Sequence, residues 1–193
     1  MFERFTKSAR GVVEGAAVHA ERVDAARVTE EHLLLALLDQ EGTRSSFAFA
    51  SLGVAGRRDA VVGALEAARR RGGLSKADEE ALAGIGIDVD GIVARVEETH
   101  GAGAMLGGGK RKRWWSGHRP FARGAKGVLE QSLRVALGRG DRFIGDEHLL
   151  LALTARPGVV ADVLAEYGVT YASAERALFG AGGADGEGVA RAG

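Results

Sequence analysis

With 193 residues the chain has room for one domain or two small ones, and its 26 basic side chains balance 26 acidic ones, so no net field draws it toward nucleic acid or a membrane surface. The absence of cysteine excludes disulfides and thiol chemistry and suits a reducing cytoplasm; no apolar run follows Met1 as in a signal peptide, and none is long enough to span a membrane. Gly is abundant at 30 and Pro scarce at 2, which with plentiful Ala, Leu, Glu and Arg points to helices separated by glycine-rich caps and loops.

From Ser8, the residues Ala9, Val12, Val13, Ala16, Ala17 and Ala20 recur at helical spacing and predict a helix with one buried face. Thr6 is its expected N-cap, the hydroxyl accepting from a free backbone N–H of the first turn. Thr29-Glu30-Glu31 opens a second helix, with Thr29 or Glu30 as the cap, and acid in a first turn suits the helix dipole. Its body, His32-Leu33-Leu34-Leu35-Ala36-Leu37, has almost no polar face, the mark of a buried helix. Ser45 to Leu52 reads as a third helix ended by Gly53 at C′, with Phe47 and Leu52 toward the core. Asp59 to Arg71 supplies a fourth, carrying Val61, Val62, Leu65 and Ala68 and stopping at Gly72-Gly73. Two helical pieces follow, one from Ser75 through Ala83 and one led in by Ile87-Asp88-Val89-Asp90 toward Ile92, Val93 and Val96. Gly101 to Gly109 is a flexible linker, closed by Lys110-Arg111-Lys112-Arg113-Trp114-Trp115.

Beyond the linker the chain repeats itself. Glu31 to Leu37 returns letter for letter as Glu147 to Leu153, and the flanks keep the register: Phe5 with Phe121, Ala9 with Ala125, Gly11-Val12 with Gly127-Val128, Ala20 with Ala136. A match held over roughly thirty positions is an internal duplication. In the second copy Ala125, Val128, Leu129, Ser132, Leu133, Ala136 and Leu137 form the first stripe, and Asp146 is the expected N-cap of the central helix. Pro157 leads a helix through Val160, Val163 and Leu164 to Gly168, and Ser173 to Phe179 closes the unit. The expected fold is all-α: two pseudo-symmetric four-helix repeats, 1–68 and 116–180, packed as one domain. A helical insert with its linker, 69–115, lies between them, and 181–193, Gly- and Ala-rich without period, is a disordered tail.

Catalytic chemistry finds little support. Glu31-His32 and Glu147-His148 pair metal-ligating side chains, but adjacent helix residues point about 100° apart and neither copy completes H-E-x-x-H. A histidine packed or hydrogen-bonded at the start of a buried helix is the simpler account. The one near-match to a phosphate loop ends in Gly109-Lys110, and it fails because Arg111 stands where Ser or Thr must hold Mg²⁺ and no strand precedes it. No spacing of Ser, His and Asp suggests a nucleophile. The chain therefore reads as a binding module, not an enzyme, with no cofactor and no metal. The alternative is a regulator that touches nucleic acid through Lys110–Arg113, with Trp114 and Trp115 stacking on bases. Against it stand the zero net charge and the usual fate of a short basic run on a glycine linker, which is to be solvated.

Phe2-Glu3-Arg4-Phe5-Thr6, the repeated Glu-His-Leu-Leu-Leu-Ala-Leu helix and the Leu52-Gly53-Val54 turn together resemble the Clp N-terminal domain. That domain is the substrate- and adaptor-receiving module of ClpC- and ClpA-type unfoldase ATPases. Gly117-His118-Arg119-Pro120-Phe121 through Lys126, and on to Tyr167-Gly168-Val169, is similar to the family's second repeat, in its actinobacterial ClpC form. The resemblance covers 1–68 and 116–180. The insert over 74–100 sets the chain apart from full-length ClpC, whose repeats are joined by a short linker, and looks more like the stand-alone Clp-N proteins of actinobacteria. The AAA+ modules of the unfoldase are absent from these 193 residues.

The resemblance implies a monomeric, non-catalytic module that holds a protein substrate or adaptor of the ClpC system, or a cyclic peptide that targets ClpC, as a decoy or modulator. Phe2, Arg10, Val13, His118, Phe121, Lys126, Glu130, Leu133 and Leu137 match positions that line the family's peptide groove between the first helices of the two repeats. Ala17 stands where the family usually has Gln. The competing account of Val13, Leu133 and Leu137 is that their stripe makes them core. Glu31 and Glu147 match the glutamates that hold the guanidinium of phosphoarginine in ClpC proteins, with Thr6 beside the first site. Two departures weaken that match. The family's Gly-Thr before the glutamate is Thr29-Glu30 and Gly145-Asp146 here, adding acid that repels a phosphate, and Thr6 has Ala122 as its counterpart.

Overall fold

The structure, a computed structural model, describes residues 2–74, 76–101 and 119–180. Among them the regular structure is helical, relieved only by two single-residue β-bridges. The first repeat comprises α1 (Lys7–Arg22), α2 (Glu30–Leu38), α3 (Arg44–Ser51) and α4 (Arg58–Arg70). The insert supplies α5 (Lys76–Gly84) and α6 (Val89–His100). The second repeat comprises α7 (Arg123–Gly138), α8 (Asp146–Ala155), α9 (Val159–Glu166) and α10 (Tyr171–Phe179). No single helix among the described residues is long and apolar enough to cross a membrane.

The two leucine-rich helices, α2 and α8, touch each other at the centre, and Leu33, Leu34, Leu37, Leu149, Leu150, Leu151 and Leu153 are buried there. Helices apolar on nearly every side must be covered on every side, and the two repeats do this for each other. α1 lies along α2 and α7 along α8, while each also reaches the other repeat's central helix. α3 packs on α10, and α4 on α9. Each repeat thus covers the second half of its twin.

The backbone carries the same reciprocity. Thr6 N–H donates to the Ile144 carbonyl (2.9 Å) and Ile144 N–H to the Arg4 carbonyl (2.7 Å), forming one parallel bridge. Its twin is formed by Ala122 N–H to the Val28 carbonyl (2.8 Å) and Val28 N–H to the Pro120 carbonyl (3.0 Å). The strand-like entry to each first helix is therefore satisfied by the entry to the other repeat's central helix, which leaves few orphan groups at a buried seam.

Three sequence expectations need correction. Phe47 is 69% exposed, and Phe49, at 2%, is the core residue of α3. Residues two apart on a helix face nearly opposite ways, and the buried stripe is Ser45, Ala48 and Phe49. Second, Gly145, not Asp146, caps α8; Asp146 is its first residue and is buried. Third, the α7 stripe is not all core: Leu133 is 36% and Leu137 57% exposed, whereas Ala125, Val128, Ser132, Val135 and Ala136 are buried.

The insert leans on the second half of the core. α5 packs on α6 and on α9, with Arg71 paired to Glu79 (3.2 Å) and Arg70 to Glu97 (3.4 Å). No residue of α5 is buried and only Val89 and Val93 of α6 are. Its hold on the core is largely polar.

Candidate binding surfaces

Helix α7 presents a mixed stripe. Lys126, Glu130, Leu133 and Leu137 are all exposed and follow one another at helical spacing, so they share one face. Phe121, at the bridge that leads into α7, is half-buried against the core. On α1 the equivalent charges recur: Arg10 occupies the place of Lys126 and Glu14 that of Glu130, and all four are exposed. Glu14 lies off the apolar stripe, and the duplication alone points to it as the counterpart of Glu130. Val13 sits in the core beneath them. The two charge pairs are carried by helices that each rest on both α2 and α8. An exposed leucine pair flanked by orienting charges is suited to an amphipathic peptide segment. His118, the side chain of Phe2, Lys110–Trp115 and the tail from 181 lie outside the described residues.

The glutamates form a second pair of sites. Glu31 makes an ion pair with Arg69 of α4. Glu147 makes one with Arg44, the first residue of α3, at 3.1 Å. In the second repeat Val159 opens α9 as Arg44 opens α3, so nothing equivalent to Arg44 reaches Glu31. A pocket of about 180 Å³ remains there, lined by Glu30, Glu31, Arg156, Pro157, Val159 and Val160 among others. Thr6 has a structural task of its own. Its hydroxyl caps α1, accepting from the Ala9 N–H at 3.2 Å and bonding to the Ser8 hydroxyl at 2.9 Å.

The acids that precede the glutamates are used across the seam between repeats. Asp146 accepts from the Ser45 N–H at 2.7 Å. Burial pushes its carboxyl up, but the Ser45 N–H and the neighbouring Ser8 and Thr43 hydroxyls outweigh it and hold the pKa below the ordinary value. Glu30 lies against Gly124 in the first turn of α7, its carboxylate where a side chain at 124 would begin. Glu30 thus sits by the start of the other repeat's first helix and Asp146 by the start of the other repeat's third, where the free N–H groups favour negative charge.

Both histidines have structural partners. His32 Nδ1 accepts from the Thr29 N–H (3.0 Å), and His148 Nδ1 from the Gly145 N–H (2.9 Å), so each closes the start of its helix from position N3. With Nδ1 accepting, Nε2 of His148 carries the hydrogen and donates to Asp141 at 3.0 Å. Burial, then the charges of Arg69, His19 and Arg119, lower the His32 pKa to about 4. Among the described residues no group of three His, Asp or Glu side chains is placed to hold a metal ion.

A family model described as the Clp repeat (R) N-terminal domain matches residues 4–79 and 120–183, which is most of the chain. Among solved structures, the N-terminal domain of the caseinolytic-protease-associated chaperone ClpD from Arabidopsis thaliana is similar in fold. The TM-score is 0.52 at 17% identity, over 94% of this chain and 96% of that one. The all-α duplicated architecture is the one these comparisons share. On the strength of the twice-matched model, the chain belongs to the Clp repeat N-terminal domain family, the protein-interaction modules of Clp chaperones.

Proposed function

We propose that this chain is a non-catalytic receiving module that holds a peptide segment on the face built from α1 and α7. The segment belongs to a protein substrate or adaptor of the ClpC system, or to a cyclic peptide that targets it. The observation that carries this reading is the exposure of Leu133 and Leu137 on a helix whose other apolar residues are buried or half-buried. Covering the exposed part of each leucine would recover roughly half of the 1.5–3 kcal/mol that full burial brings, and flanking charges at Lys126 and Glu130 orient whatever covers them. Its test is titration calorimetry with a ClpC-binding cyclic peptide against wild type and Leu137→Asp. Heat from wild type that the variant loses about tenfold or more supports the face; equal binding by both removes it.

Glu31 and Glu147 support a second contact, to a guanidinium. A carboxylate is the natural acceptor for that fork of N–H donors, and in this chain each already holds one. Glu30 and Asp146 add negative charge next to each site, which disfavours a phosphorylated arginine relative to the unmodified one.

A further inference from the structure

We infer that Glu31 and Glu147 are guanidinium sites kept shut by the chain's own arginines, so that a partner's arginine is held only by displacing Arg69 or Arg44. This rests on reading the two glutamates as guanidinium acceptors, the second contact proposed above. The two glutamates are equivalent by the duplication, but the arginines that fill them are not. Arg69 comes from the end of α4 in the same repeat, and Arg44 from the start of α3 in the other. Two equivalent carboxylates filled from two unrelated directions mark the acceptor as the constant feature and the arginine as its interchangeable occupant.

The occupants are placed to leave. The Arg44 side chain is 62% exposed while that of Glu147 is 10% exposed, and for Arg69 and Glu31 the values are 39% and 18%. Each pair therefore has an inner carboxylate fixed on a central helix and an outer, more solvated arginine on a surface helix. Rotation of the outer side chain uncovers the inner one with no backbone change. The Arg44 guanidinium has little else to hold it, lying 5.8 Å from the centroid of a Phe179 ring that Arg139 already covers at 3.4 Å. At the first site the pocket beside Glu31 adds room for an incoming side chain. An internal occupant lowers apparent affinity by the fraction of time the site is closed, so a lone arginine binds weakly. A peptide already seated on the α1–α7 face, supplying its arginine at high local concentration, competes well.

The probe is N-acetyl-argininamide, titrated by NMR into wild type, Arg44→Ala, Arg69→Ala and Arg44→Ala/Glu147→Gln. Each single arginine variant should bind about fivefold tighter than wild type, with the larger gain for Arg69→Ala, whose side chain is the less exposed. The double variant should lose the gain, and the citrulline analogue should not bind. Equal affinity of wild type and both single variants, with weaker binding by Arg44→Ala/Glu147→Gln than by Arg44→Ala, would leave the acceptor reading standing and overturn the latch. Failure of all four proteins to bind, with unchanged melting temperatures, would overturn both.

Discussion

His32 shows how a single side chain ties function-like chemistry to folding. It is 3% exposed and its Nδ1 must stay unprotonated to accept the Thr29 N–H. Its pKa falls from 6.5 to about 4 on folding, so between those values the unfolded chain binds a proton that the native state refuses. Stability contributed by this group is present above pH 6.5 and is lost as pH falls toward 4, by about 3 kcal/mol in all. Urea unfolding at pH 7.5 and 4.5 should show that loss in wild type and a flatter profile in His32→Gln. Asp146 works in the opposite chemical sense, as a charge that must be kept. Asp146→Ala leaves the buried Ser45 N–H unpaired and should cost about 1–3 kcal/mol, read as a lower urea midpoint at unchanged slope. The sequence had offered Asp146 as a cap because Asp is a preferred capping residue. It is freed from that task because His148 closes the helix start from N3, and that substitution of roles lies in the duplicated motif only for a reader who already knows what the histidine does.

At the level of helices, the apolar pattern located every element but did not always choose its inner face. α3 is eight residues long and carries two phenylalanines. The face that wins is the one with Ser45 and Ala48 on it, small residues that let α3 approach α8 and α10 closely. A serine in a core stripe hides the period. Phe49→Ala should therefore cost about 3–5 kcal/mol, while Phe47→Ala should stay within about 0.5 kcal/mol, compared by thermal melts of the two proteins. In α7 the apolar stripe is wider than the surface the core buries. Leu133 and Leu137 lie at the edge of the contact that Ser132, Val135 and Ala136 make with the core, and an apolar residue in register gives no sign in the sequence of whether anything covers it. The arginine partners of Glu31 and Glu147 were not legible at all, being 38 and 103 positions away along the chain.

The whole molecule is two copies of one unit that complete each other. α4 covers α9, α10 covers α3, and both entry bridges run from one copy to the other. Residues 1–74 alone would keep the helices but lose the partners of α3, α4 and the Phe5 bridge, so that fragment should remain without dispersed NMR signals while the full chain unfolds in one cooperative transition. The duplication that predicted this arrangement was visible in the sequence because it repeats in register; the crossing of the copies was not, because it is made by contacts between residues about a hundred positions apart. With the copies interlocked, the first helix of each also rests on the other's central helix, and the α7 leucines stand exposed beside that contact, where the proposed ligand would lie. NMR mapping of a ClpC-binding cyclic peptide on the full chain tests this most directly. Perturbations centred on Lys126, Glu130, Leu133 and Leu137, with Arg10 and Glu14 following, are the expected result. Saturable binding that leaves those residues unmoved, or none at all, would contradict it.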